Sequence, residues 1–197
     1  GPDRKTVSVT IRKGLMWDDG APLTADDVAF TVETAQDILV RSASAGTWQG
    51  ILTEKLNDNE IRFTLREPSA FFERSVRELK IAPRHVFGAI PPSNLRLSSY
   101  NLEPVGAGPW KLASLETERN GFITELNLVP NPYYAGTEPF IRNFSLRFYA
   151  NEDDAVRAFN AKEIDGLGGI GPDETASLTV ERRLVSASLP RYYAIFF

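Results

Sequence analysis

His85 is the only histidine in this 197-residue sequence, and cysteine is absent. A Ser–His–Asp system or an imidazole metal site would have to be built on His85, and thiol nucleophiles, disulfides and thiolate zinc sites are excluded. Its setting, Pro83-Arg84-His85-Val86-Phe87, reads as a turn opening into a helix, which gives His85 a helix-start or packing role. Gly166-Leu167-Gly168-Gly169-Ile170-Gly171 satisfies G-x-G-x-x-G. A dinucleotide site, however, needs that pattern on a strand-to-helix turn with an acid about 20 residues further on. Here a helical segment precedes closely, Pro172 follows at once, and Arg191 stands where the acid would be. Asp18, Asp19, Asp26 and Asp27 could suggest a cation site. Their spacing is not that of an EF-hand loop, and Asp19-Gly20 and Asp27 already read as turn and cap residues. Glu152-Asp153-Asp154 reads as a solvated helix start. No catalytic residue, metal ligand or cofactor is assigned.

Composition narrows the classes further. Hydrophobic residues make up 42% of the chain and charged ones 24%, the balance of an ordinary soluble globular protein with length enough to bury a core. A net charge of −4 leaves no basic excess for releasing counterions from a phosphate backbone, so nucleic acid is not expected as a partner. No apolar run approaches the roughly 18 to 20 residues of a membrane span. Gly1-Pro2 resembles the scar of a cleaved affinity tag, so the native start is expected to be missing, and no secretory leader pattern is visible.

The elements that would position these residues follow from periodicity. Val7, Val9 and Ile11 alternate with polar residues as a half-buried strand. Thr24 can cap a helix with Asp27 in a capping-box arrangement, and Ala25, Val28, Ala29, Val32 and Ala35 share one helical face. Residues 41–50 are small and polar around Trp48 and read as a loop, an unusual place for a large aromatic unless it packs or binds. Segments 51–56 and 61–66 form a hairpin across Asn57-Asp58-Asn59. Ser69 caps a short helix carrying Phe72, Val76 and Leu79, and 90–101 reads as a connecting loop. Trp110 and Leu112 begin a strand that turns at Asn120-Gly121, suited to a type I′ hairpin, and returns through Phe122, Leu126 and Leu128. Phe144, Leu146 and Phe148 alternate as a further strand. Asn151 caps a helix with Ala155, Val156 and Phe159 as its buried stripe and three acids in its first turn. A glycine-rich loop at 166–171, a short helix at 172–178, and strands at 179–185 and 192–197 complete the reading.

Several motifs, in this order, resemble the extracytoplasmic solute-binding proteins of peptide-type ABC transporters, solute-binding family 5. Val9-Thr10-Ile11-Arg12-Lys13-Gly14-Leu15-Met16-Trp17-Asp18-Asp19-Gly20 leads into Pro22-Leu23-Thr24-Ala25-Asp26-Asp27-Val28, with Asp18 where the family often has His or Ser. Ile81-Ala82-Pro83-Arg84-His85-Val86 is similar to its I-x-P-[KR]-H-[IV] turn. Pro104-Val105-Gly106-Ala107-Gly108-Pro109-Trp110, then a hairpin, then Asn131-Pro132-Tyr133-Tyr134 resembles its central unit. Glu163-Ile164-Asp165 matches G-E-I-D, with Lys162 in place of the usual glycine.

That resemblance implies a mixed α/β fold: part of one lobe of a periplasmic binding protein-like II architecture, with a mixed sheet flanked by helices and a small antiparallel subdomain. Residues 3–103 would be the subdomain, 104–191 part of the main sheet, and 192–197 the crossover to an absent second lobe. It implies a non-catalytic, monomeric, extracytoplasmic component that closes on a peptide or other small solute and delivers it to a permease. An opine, oligosaccharide or nickel chelate as ligand, or a ligand-sensing domain of a transcription regulator, are the alternatives. By the same resemblance Trp48, the loop Gly168, Gly169 and Ile170, and the crossover residues Tyr192 and Tyr193 would face the ligand. Trp17, Trp110, Tyr133 and Tyr134 would instead define the fold, and the strand at 61–66 would pair with that of Val9 and Ile11.

Overall fold

The computed structural model describes residues 5–171, 174–180 and 185, in two compact units, 1–147 and 148–197. The first unit opens on strand β1 (Thr6–Thr10), which pairs antiparallel with β3 (Glu60–Thr64), itself paired with β2 (Leu52–Asn57), giving the order β1-β3-β2. The central strand supplies the core: Ile61 and Phe63 are fully buried, opposite Val9 and Val7. Helix α1 (Ala25–Gln36) closes over them with Ala25, Val28, Val32 and Ala35. Its start is a capping box, in which Asp27 Oδ2 accepts from the Thr24 N–H at 2.8 Å and Thr24 Oγ1 accepts from the Asp26 N–H at 3.3 Å.

Two local expectations are corrected here. The segment 41–50 is not all loop, because one turn of helix, α2 (Ala45–Trp48), carries Trp48 inward against Phe63 and Phe72. Ser69 is not the cap of the next helix, α3 (Phe72–Glu78), whose N-cap position falls on Phe71; Ser69 Oγ instead accepts from the Phe71 N–H before the helix begins. After α4 (Arg84–Phe87), the connector at 90–101 also carries two 3₁₀ turns, Pro92–Leu97 and Ser99–Asn101.

The second sheet runs β4 (Trp110–Thr117), β5 (Ile123–Pro130) and β6 (Phe144–Arg147), antiparallel throughout. The β4–β5 turn is not type I′: only Gly121 is left-handed, at φ 86°. Asn120-Gly121 sits one place later than a two-residue hairpin would have it. The Gly121 N–H reaches Glu118 O, the Glu118 N–H reaches Phe122 O, and Asn120 Oδ1 accepts from the Phe122 N–H. That is a type I turn closed by a glycine bulge. No residue of this sheet is buried, in contrast with the first.

In the second unit, Asn151 caps α5 (Glu152–Asn160) through the Asp154 N–H, and Ala155, Val156 and Ala158 are buried while Phe159 is half-buried. The expected helix at 172–178 is a 3₁₀ turn, Glu174–Ser177. Thr179, Val180 and Val185 lie in no strand, and the other strand expectations fall outside the described residues. The end of α5 is a Schellman motif: the Glu163 N–H reaches Ala158 O, the Lys162 N–H reaches Phe159 O, and Lys162 is left-handed at φ 60°. A side chain there costs about 1 kcal/mol or more, which exceeds the small dipole benefit of a cation at a helix end. Lys162→Gly is therefore expected to stabilise this end by about 0.5–1 kcal/mol, visible as slower exchange of the Glu163 amide. Faster exchange would contradict the strain argument.

Candidate functional site

The motif residues meet in a polar latch inside the first unit. Gly20, at φ 88°, closes the loop after Trp17 by donating to Trp17 O at 3.0 Å. Asp18, two residues before Gly20, is buried and grips the glycine turn at 106 twice. Its N–H donates to Gly106 O at 2.8 Å, and its Oδ2 accepts from the Gly106 N–H at 3.0 Å. Asn131, also buried, holds that turn from the other side: its Nδ2 donates to Gly108 O at 2.9 Å and its N–H to Pro109 O at 2.9 Å. Its Oδ1 accepts from the Tyr133 N–H, and the Tyr133 ring lies against Gly20, 3.2 Å from where a Cβ would stand. Glycine at 20 is thus required by both conformation and space.

A second knot joins α1 to α4. Asp27 is 4% exposed and uses both carboxylate oxygens, Oδ2 on the Thr24 N–H and Oδ1 on the Arg84 N–H at 2.8 Å. Thr31 donates to Asp27 O and accepts from the Ala82 N–H at 2.9 Å. Asp26 pairs with Lys55 at 2.5 Å and Arg84 at 3.5 Å, and among the described residues no cluster of His, Asp and Glu could hold a metal ion. His85 Nε2 and Asp19 Oδ2 are 2.6 Å apart, bridging the tryptophan loop to α4, with the Trp17 ring tilted over the imidazole. The four aspartates and the histidine are therefore occupied in joining segments distant in sequence.

The two neighbouring acids respond to pH in opposite directions. Burial raises the Asp18 carboxyl above its ordinary value; the Gly106 N–H opposes that, Asp19 adds to it and Lys111 opposes it. An acid raised by folding binds its proton more tightly in the folded state, so its contribution is largest in acid and declines as pH rises through its folded value. For Asp19 burial also pulls upward, but the Ala21 N–H and the His85 ring outweigh it and leave that carboxyl lowered. Its contribution is present above the unfolded value of about 4 and is lost as pH falls below it. Asp18→Asn keeps an acceptor for Gly106 and removes the buried charge. It is expected to raise the thermal midpoint by a few degrees at pH 7, with the gap closing below about pH 4. A lower midpoint at pH 7 would mean that the Gly106 hydrogen bond to a charged acceptor, with the attraction to Lys111, outweighs burial.

Of the residues expected to meet ligand, Trp48 is 2% exposed; it packs on Phe63 and Phe72 and also forms part of the wall of an open groove of about 410 Å³. Thr31, Thr34, Thr47, Ser75 and Glu78 line the same groove. The Thr34 and Thr47 hydroxyls make no hydrogen bond to another described residue, so the groove can offer an aromatic wall and two open hydroxyls. Thr31 and Thr34 come from α1, beside its apolar stripe, and carry no periodic signal in the sequence that would mark them as lining. Gly168 and Gly169 lie in the second unit, exposed, with nothing within 4 Å of a Cβ at either and Gly169 left-handed. Ile170 beside them is half-buried. Their backbone is open to close approach. Tyr192 and Tyr193 lie outside the described residues.

Residues 1–197 match a family model described as bacterial extracellular solute-binding proteins, family 5 middle. Protein XP55 of Streptomyces lividans is 33% identical over 178 residues, covering 89% of this chain and 30% of that protein. Among solved structures, the ABC transporter substrate binding protein CtaP of Listeria monocytogenes superposes with a TM-score of 0.80 at 28% identity, over 90% of this chain and 36% of its own. The oligopeptide-binding protein AppA of Bacillus subtilis, solved with a nonapeptide, gives a TM-score of 0.72 at 25% identity over 81% of this chain and 31% of its own. This chain thus spans about a third of the length of the relatives it matches.

Proposed function

The chain belongs to the bacterial extracellular solute-binding proteins of family 5, and from that membership we propose that it is a portion of the extracytoplasmic component of an ABC importer for peptides or peptide-like solutes. The observation that carries the ligand class is the likeness to AppA, whose structure holds a nonapeptide. Peptides also suit a binder that must accept varied side chains, because main-chain hydrogen bonding is blind to them. The mechanism is closure of two lobes around the solute, with no covalent chemistry. Residues 3–103 and 104–191 are parts of one lobe, and 192–197 lead toward the other.

In this reading Trp48 offers a flat apolar contact at small entropic cost, and Gly168, Gly169 and Ile170 present backbone to the ligand. Tyr192 and Tyr193 meet the ligand where the lobes join. The closed complex then docks on a permease, with no membrane span of its own required; among the described residues no helix is long and apolar enough to cross a membrane.

Because a single lobe supplies only one wall of such a site, the 197 residues alone are expected to bind peptide at best weakly. Titration calorimetry with a mixed peptide pool tests this. Micromolar affinity from this chain alone would refute closure between two lobes as the source of binding.

A further inference from the structure

The groove beside Trp48 carries chemistry that the latch and the core leave unused. Thr34 and Ala35 of α1 form one side, Thr47 and Trp48 of α2 another, and Leu79 and Lys80, just past α3, the third. Bonds between segments distant in sequence hold these walls in place. Gln36, at the end of α1, donates to Ile51 O at 2.9 Å and accepts from the Gly50 N–H at 2.8 Å, which fixes the segment after α2. The Ala82 N–H donates to Thr31 Oγ1 at 2.9 Å, which fixes the stretch carrying Lys80 against α1. A volume of about 410 Å³ falls within the roughly 300–1,000 Å³ of small-molecule sites.

Some polar groups of the groove satisfy each other. Ser42 and Ser44 share a hydrogen bond, and Ser75 donates to Phe71 O. Glu78 is the one acid in the lining among the described residues, and Arg74 holds it at 2.8 Å. The Lys80 ammonium, like the Thr34 and Thr47 hydroxyls, has no partner among the described residues. Arg41, left-handed at φ 52° between the lining residues Val40 and Ser42, adds a second unpaired cation beside the groove. In a chain of net charge −4 this corner is locally cationic. We propose that the groove binds the carboxyl end of a peptide. Lys80 pairs with the carboxylate, Thr34 and Thr47 serve the last peptide group, and Ala35, Leu79 and Trp48 take an apolar last side chain. A fatty acid would leave both hydroxyls against hydrocarbon, and a bare anion would leave the apolar wall unused. That the ligand is a peptide rests on the function proposed above; the demand for a carboxylate beside an apolar body does not.

The 197-residue chain, isotopically labelled for NMR, is titrated at constant pH with N-acetyl-leucine, N-acetyl-leucinamide and acetate. N-acetyl-leucine is expected to saturate with low-millimolar affinity, in keeping with about a dozen non-hydrogen atoms on an open wall, and to shift the Thr34, Thr47 and Trp48 amides. The leucinamide and acetate are each expected to bind at least about tenfold more weakly, and Lys80→Met to erase the preference for acid over amide. Thr47→Val, a second variant, should weaken acid and amide alike. No saturation, equal binding of acid and amide, equal binding of acetate, or an unchanged preference in Lys80→Met would each overturn the proposal. The full-length protein is then given a peptide and its C-terminal amide. A preference for the free acid that Lys80→Met removes would uphold the proposal. Peptide binding indifferent to amidation would overturn it and leave the peptide reading intact. A full-length protein that takes N-acetyl-leucine in this groove but binds no peptide would uphold the groove's chemistry and remove the peptide reading.

Discussion

Phe63→Ala is expected to destabilise the protein by about 4 kcal/mol, the largest effect of any single truncation considered. Phe63 is fully buried at the centre of β3, flanked by strands on both sides. Its ring meets Phe72 at 5.4 Å and Trp48 at 6.4 Å between centroids, both tilted or edge-on. Truncation forfeits the transfer energy of the ring and leaves a cavity whose walls, two strands and two aromatic rings, cannot easily collapse. Against a typical total stability of about 5–15 kcal/mol the loss is a large fraction. Phe71→Ala is the control: that side chain is 76% exposed, and its removal should cost less than about 0.5 kcal/mol. Urea unfolding of both variants reads the difference, and a Phe63→Ala loss below about 1 kcal/mol would place the core elsewhere.

Asp27→Ala is expected to cost about 3 kcal/mol, because one carboxylate serves two backbone amides in different elements. One oxygen caps α1 and the other receives the first amide of α4, so truncation both uncaps a helix and unpins the segment after Pro83. Asp27→Asn, with a single acceptor oxygen, should fall between wild type and alanine. Arg84→Pro removes the α4 donor at a first-turn position that tolerates proline, together with the exposed pairing of Arg84 with Asp26. Combined with Asp27→Asn it should cost less than the sum of the separate losses, as expected for partners in one bond. Strict additivity in denaturant titrations would contradict the shared-carboxylate geometry.

The parts of the fold that were legible in the sequence are those where burial is one-sided. The alternation of Val7, Val9 and Ile11, and of Ile61, Phe63 and Leu65, and the α1 stripe each mark a face packed on the same core. Thr24 and Asp27 were readable as a cap because the partners lie three residues apart. Asp27 reaching Arg84, Asp18 reaching Gly106 and Asn131 reaching Gly108 left no local trace: a polar side chain bonding a distant backbone amide or carbonyl has no period. Alternation through Phe144 and Leu146 correctly marked a strand but could not show that the strand is exposed on both faces, since that depends on what else packs there. For the same reason Trp48 was conspicuous by type and neighbourhood, while its place between core and groove emerges only when α2 turns it inward.

The reading of this chain as part of a peptide-binding import protein is tested most directly by native mass spectrometry of the full-length protein as purified, followed by denaturation. The predicted result is an excess mass on the folded protein that resolves, on unfolding, into a series of peptides. A folded protein that carries no ligand and shows no thermal shift with peptide pools would contradict it.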